Sequence, residues 1–172
     1  MTTTYVSTED TPAGPFTAVV DQDGVVLASG WTADVAELLV PMHATLRPTT
    51  EPVARADLGP VSAAVRAYHA GDLDVIDGIE VRQRSGEFLE HAWRVLRKVP
   101  AGEPISYTAY AAMAGRPDAP RAAASACARN AAALFVPCHR IIRTDGTLGG
   151  FRWGLDVKRW LLAHEDRGDA RR

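Results

Sequence analysis

"ISYTAYAAMAGRPDAPRAAASACARN", residues 105–130, decides the fold, because it reads as two short helices joined by a tight turn. Ser106 stands in an N-cap position, and Gly115 ends the run behind it. After "RPD", Asp118 is expected as a second cap and Pro120 as a first-turn residue of a helix continuing toward Asn130. Upstream, "SGEFLEHAWRVLRKVPAG" puts Phe88, Leu89, Ala92, Val95, Leu96 and Val99 on one apolar stripe, with Ser85 as cap and Pro100 and Gly102 as the stop. Helix, short helix, tight turn, helix is the order of a helix-turn-helix unit.

The last of these helices, "PRAAASACARN", is mostly alanine. Reading base edges in a major groove takes long hydrogen-bonding side chains, whereas this helix offers chiefly small ones, with Arg121 near its start and Arg129 near its end. Ala122, Ala124 and Ser125 make a surface that can press against a groove and recognise its shape, while an arginine enters the base stack or holds backbone. An alanine helix packed in a core explains the same letters, so both readings stand at this point.

The N-terminal part is patterned differently. "PFTAVVDQDGVVLASGW", residues 15–31, sets two apolar runs around Asp23-Gly24, a hairpin signal. Val61, Val65, Tyr68 and His69 share one face of a short helix ended by Gly71, and the acidic segment from Gly71 to Gly86 reads as a connection. With 172 residues and 47% hydrophobic content, the chain has enough apolar material for one ordinary domain or two small ones. The net charge of −2 conceals an asymmetry: residues 1–84 carry 5 basic against 12 acidic side chains, and residues 85–172 carry 14 against 9. The basic half is the one suited to phosphates.

Cys127 and Cys138 are the only cysteines. Two are too few for a disulfide framework or a thiolate-rich zinc site, and they are expected as free thiols of a reducing cytosol. Neither a signal peptide nor an apolar run long enough to span a membrane is present in the sequence, so a cytoplasmic protein with no membrane partner is expected. In "FVPCHRII", Pro137 fixes its own φ and pushes Val136 toward an extended conformation, so Cys138 enters a constrained turn. A thiol near an imidazole, directly or through one water, can become a thiolate, and a carboxylate on the other ring nitrogen would orient that imidazole. His139 and Glu165 are the candidates. A small buried hydrophobe is the other role for such a cysteine.

"PCHRII" resembles the active-site signature of the O6-alkylguanine-DNA alkyltransferases, the methylated-DNA–protein-cysteine methyltransferases. The resemblance continues through "FLEHAWRVLRKVPAGEPISYTAYAAMAG", "RAAASACARN", "DGTLGGFRWG" and "KRWLLAHE", and covers about residues 80–166. Within the family, the "ASACA" helix and the "RWG" ending are most similar to the carboxy-terminal domain of the bacterial adaptive-response protein.

That resemblance implies a single-use DNA repair protein that flips O6-methylguanine out of a duplex and moves the alkyl group onto Cys138. It makes His139 a base acting through water, with Glu165 orienting it. Asn130 becomes the hinge that braces the active-site turn. Tyr107 helps turn out the nucleotide and donates toward the departing guanine, and Lys158 stands near the pocket. Arg121 is the finger that fills the vacated stack, on a helix that enters the minor groove and presents Ala122, Ala124, Ser125 and Arg129. Pro137, Ile141, Phe151, Arg152 and Trp153 are expected around the substrate.

The implied architecture is α/β: a small N-terminal antiparallel sheet domain, RNase H-like, over residues 1–80, a winged-helix-like α domain carrying the helix-turn-helix over 84–166, and a tail over 167–172. No metal or cofactor is expected, and a monomer is. Phe151, Arg152 and Trp153 depart from the family, which commonly has tyrosine and then small residues there, and Pro120 stands where alanine or lysine is usual. Three rival functions remain: a thiol hydrolase using Cys138, His139 and Glu165, a helix-turn-helix regulator, and a damage-binding relative without transfer activity, which usually lacks the cysteine present here.

Overall fold

The structure is a computed structural model that describes residues 2–166. The tail expected at 167–172 lies outside the described residues. Two compact units are present, the first running to Ser85 and taking in Ala131–Phe135, the second holding Gly86–Asn130 and continuing from Val136.

The first unit contains β1 (Tyr5–Thr11), β2 (Gly14–Val20), β3 (Val26–Gly30), α1 (Val35–Leu39), β4 (Val53–Ala54) and α2 (Pro60–His69), followed by a 3-10 turn at Val75–Gly78. The sheet order is β3-β2-β1-β4. The hairpin read at Asp23-Gly24 joins β2 and β3. The Asp21 carboxylate accepts from the N–H groups of Asp23 (2.8 Å) and Val25 (3.1 Å), and Gly24 takes the positive φ of 82° that the turn needs. β1 and β2 form a second hairpin. β4 pairs parallel to β1, so the sheet is mixed and not antiparallel throughout. Val61, Val65 and Tyr68 of α2 are buried, and Phe16 meets Trp31 edge-on with centroids 4.9 Å apart.

Ala131–Phe135 belongs to this unit for identifiable reasons. Ser29 donates from its N–H to Ala131 O (2.9 Å) and from its hydroxyl to Ala133 O (2.7 Å), and Phe135 packs edge-on against Phe16. The five residues therefore leave the 84–166 segment that sequence assigned to one domain.

The second unit contains α3 (Glu87–Leu96), β5 (Ile105–Ser106), α4 (Tyr107–Met113), α5 (Pro120–Ala128), a 3-10 turn at Cys138–Arg140, β6 (Ile141–Ile142) and α6 (Leu155–Glu165). β5 and β6 pair in parallel. Ser106 caps α4 as expected, accepting from Ala109 N at 3.0 Å. The other two caps differ: Gly86, not Ser85, precedes α3, and Ala119, not Asp118, precedes α5, where Pro120 occupies the first turn. The helices lock through buried side chains, since Tyr110 Oη donates to Ala92 O (2.6 Å) and Trp93 Nε1 to Ala126 O (2.8 Å). Among the described residues no helix is long and apolar enough to cross a membrane.

Candidate active site

Pro137 has φ −81° and ψ 66°, an inverse γ-turn closed by Cys138 N donating to Val136 O at 2.8 Å. The same carbonyl accepts from Asn130 Nδ2, also at 2.8 Å. Proline supplies the φ, and asparagine holds the carbonyl that fixes the turn. Cys138 thereby reaches the floor of a cavity of about 570 Å³. One wall comes from α5, with Ala124, Cys127 and Ala128, and the other from the loop Gly150–Trp153; Tyr107 and Asn130 complete the lining.

The two residues that follow the thiol, His139 and Arg140, enter a fully buried network. His139 Nε2 donates to Glu165 Oε2 at 2.8 Å, and Arg140 grips the same carboxylate with Nε on Oε1 and Nη2 on Oε2, each at 2.9 Å. Arg140 Nη1 reaches Val99 O at 2.8 Å. Burial alone would push the Glu165 carboxyl up, but His139 and the guanidinium outweigh it and hold it well below the carboxylate range, so it is ionised. Burial pulls the His139 imidazole below its ordinary value despite Glu165, so it is neutral near pH 7. In that tautomer Nε2 carries the proton and Nδ1 is an acceptor. Nδ1 is buried with no hydrogen-bond partner among the described residues.

The Cys138 thiol is pushed up by burial, partly countered by the hydrogen bond from Asn130 and the positive charges of Lys158 and Arg152. It rests as a thiol and needs a base to react. Tyr107, pushed up to about 12 mainly by burial, keeps its proton and serves as a donor. Its ring lies tight against Gly149: a Cβ there would stand 2.9 Å from the Tyr107 oxygen, and Gly149 has φ +73°.

Cys138, Asn130 and Tyr107 line one cavity, and His139, next to Cys138 in the chain, pairs with Glu165. Lys158 stands near the cavity without lining it, and its charge favours the Cys138 thiolate. Its ammonium is buried outside the cavity wall and donates to Ile141 O (2.8 Å), Leu148 O (2.6 Å) and Gly150 O (3.3 Å), fastening the loop that forms one wall. Phe151, Arg152 and Trp153 line the cavity, whereas Pro137 and Ile141 do not: the first forms the turn beneath the sulfur, and the second is buried in β6. On α5, Ala123 and Ala126 are buried, Ala122, Ala124 and Ser125 are half-buried, and Arg121 and Arg129 are exposed. The alanine helix therefore packs by one face and leaves its small residues open on another.

Sequence reasoning missed Arg140, Cys127, Ala128 and Gly150. Only Arg140 had a signal, its place beside the Cys-His pair. Among the described residues no cluster of histidine, cysteine and carboxylates could hold a metal ion.

Comparison with known proteins agrees in sequence and shape. Residues 87–167 match the family model described as the DNA-binding domain of 6-O-methylguanine DNA methyltransferase. The bifunctional transcriptional activator/DNA repair enzyme Ada of Escherichia coli is 47% identical over 88 residues, 51% of this chain and 25% of that protein. Mycobacterium tuberculosis OGT, solved in complex with DNA, superposes with a TM-score of 0.77 at 29% identity, covering 94% of this chain and 92% of that one. The fold is the mixed α/β fold of those structures. A methylated-DNA–protein-cysteine methyltransferase of Salmonella typhimurium is 37% identical over 157 residues, 90% of this chain and 91% of its relative. With that identity across nearly the whole of both sequences, this chain belongs to the methylated-DNA–protein-cysteine methyltransferases.

Proposed function

We propose that this chain repairs O6-alkylguanine in double-stranded DNA by moving the alkyl group, once and irreversibly, onto Cys138. The observation that carries this reading is a buried thiol lining a cavity and followed in the chain by a buried imidazole, with Nδ1 open and Nε2 on Glu165. His139 accepts the thiol proton at Nδ1 through one water, and Glu165 and its ion pair with Arg140 stabilise the imidazolium that forms. The sulfur attacks the alkyl carbon as the carbon–O6 bond breaks. Tyr107 donates toward the departing guanine, and the proton lost by sulfur ends on that base. The product is a thioether with no carbonyl for water to attack, so the thiol is not regenerated.

A lesion at guanine O6 is hidden inside a stacked pair, so its nucleotide must leave the helix. The open small-residue face of α5 suits the minor groove, and exposed Arg121 suits the gap left in the stack. Asn130 keeps the turn of Cys138 fixed between that helix and the cavity. In the same reading the first unit is RNase H-like, supported by its β3-β2-β1-β4 sheet with α2, and the second is winged-helix-like, supported by α3, α4 and α5. A complete site within one chain fits a monomer.

The test is intact-mass and peptide analysis after incubation with a duplex carrying one O6-methylguanine. The expected result is one methyl group per chain, on Cys138. An unmodified chain, or a methyl group on another residue, would overturn the assignment.

A further inference from the structure

The carbonyls at the end of α5 are all engaged. Ser125 O accepts from Arg129 N (2.9 Å), Ala126 O from Trp93 Nε1 (2.8 Å), Cys127 O from Asn130 N (3.3 Å) and Ala128 O from Arg152 Nη2 (3.2 Å). The last bond is unlike the others, because Ala128 and Arg152 stand on opposite walls of the cavity whose floor is Cys138. Arg152 is exposed, and among the described residues no carboxylate pairs with it. A full positive charge at the mouth of the cavity thus rests on one neutral carbonyl, at the long end of hydrogen-bond distance. The guanidinium is also close enough to ease the ionisation of Cys138.

A phosphate oxygen is a stronger acceptor for guanidinium than a helix carbonyl, through both charge and bidentate geometry. We propose that Arg152 is a strap that ties the two cavity walls together in the free protein and passes to a DNA phosphate when the lesion enters. The cavity then admits a base presented on a phosphate backbone in preference to the same base free in solution. Arg152 is a specificity-determining residue in this scheme, and the scheme rests on the DNA-repair reading above. The exchange forms no covalent bond; one hydrogen bond to Ala128 O is given up for contacts to phosphate.

The experiment compares single-turnover methyl transfer from a duplex containing O6-methylguanine and from free O6-methylguanine, for the wild type, Arg152→Ala and Arg152→Lys. Arg152→Ala is expected to react with the free base several-fold faster, because the walls are untied. It should react with the duplex about tenfold more slowly, as one charge-assisted contact is lost. The slope of log rate against log salt on duplex should become shallower by about one unit. Arg152→Lys keeps a charge for phosphate without the planar fork, so its duplex rate should recover toward wild type. A duplex-to-free-base ratio that does not fall in Arg152→Ala overturns the strap. A fallen ratio with an unchanged salt slope overturns the exchange with phosphate. A wild type that takes no methyl from duplex sinks the repair reading and the strap together, whereas a reactive wild type with unaltered variants sinks the strap alone.

Discussion

Two thiols line one cavity, and they differ in what stands next to them. Cys127 comes from the last turn of α5 and Cys138 from the turn after Pro137. Burial pushes both thiols up, and Lys158 favours both thiolates. Beside Cys138 in sequence stands His139, with Glu165 and Arg140 behind it. The cavity lining contains no histidine or carboxylate that could serve Cys127. Burial and the Lys158 charge therefore do not separate the two thiols; Asn130 and Arg152 favour the Cys138 thiolate alone, and His139 offers a place for its proton to go.

The largest expected effect breaks that comparison outright. Cys138→Ala should abolish methyl transfer while affinity for the lesion-bearing duplex, measured by titration, stays within about threefold, because the sulfur adds little to phosphate contacts. Persisting transfer would show that Cys127 or another group can accept.

Next comes the network that serves one thiol only. Glu165→Gln leaves the buried Arg140 charge without its counterion and should cost about 3–5 kcal/mol, read from urea unfolding. A loss below about 1 kcal/mol would mean that water already shares this site. The pH dependence follows from the same pair. His139 titrates below its ordinary 6.5 and Glu165 below its ordinary 4.5, so the folded chain binds fewer protons than the unfolded one at both groups. Stability is complete above the unfolded-state values. It falls as pH drops below 6.5, through the His139 contribution, and again below 4.5 toward the folded value of Glu165. Stability that rises on acidification across this window would contradict the assignment of a neutral His139 and an ionised Glu165.

The candidate nucleophile, base and orienting carboxylate were legible because thiol, imidazole and carboxylate announce their chemistry in one dimension. Ser106 was legible as a cap for the same local reason. Arg140 was not, because its meaning lies in Glu165 and Val99, 25 and 41 residues away. Cys127 is a wall residue only because Ala123 and Ala126 fix the rotation of α5 about its axis. β1 escaped notice because "YVSTEDT" is polar and lacks the apolar alternation that marks a strand. The departure of Ala131–Phe135 to the first unit rests on Ser29, whose hydroxyl meets a carbonyl 104 residues away.

A smaller effect concerns the wall opposite Cys127. Trp153 is half-buried and lines the cavity. Forcing a bulky group into a filled site costs about 1–3 kcal/mol, which is roughly 5- to 150-fold in rate. The wild type should repair methyl lesions readily and react poorly with O6-benzylguanine, and Trp153→Gly should raise the benzyl-to-methyl rate ratio by a factor in that range. Single-turnover kinetics with both substrates decide it. A wild type that reacts quickly with O6-benzylguanine shows that the indole does not narrow the site.

The smallest effect tests the other side of the comparison. Cys127 is the second sulfur of the cavity and contributes a small, weakly polar surface to the α5 wall. Its thiol is held well above its ordinary value, first by burial and then by the charge of Cys138 when that group ionises. It therefore stays protonated while Cys138 reacts and supplies neither nucleophile nor base. Cys127→Ala removes one atom at the end of a helix whose position is set by Ala123, Ala126 and the Trp93–Ala126 bond, so the wall should hardly move. Methyl transfer from duplex should stay within about threefold of wild type, well inside the tenfold that about 1.4 kcal/mol would produce. The fully reacted wild type should carry one methyl group, as the variant does. A second methyl group on the wild type, lost in Cys127→Ala, would make this sulfur an acceptor in its own right. A rate more than tenfold slower in the variant would mean that the two thiols share the proton, and that the base behind Cys138 is not what separates them.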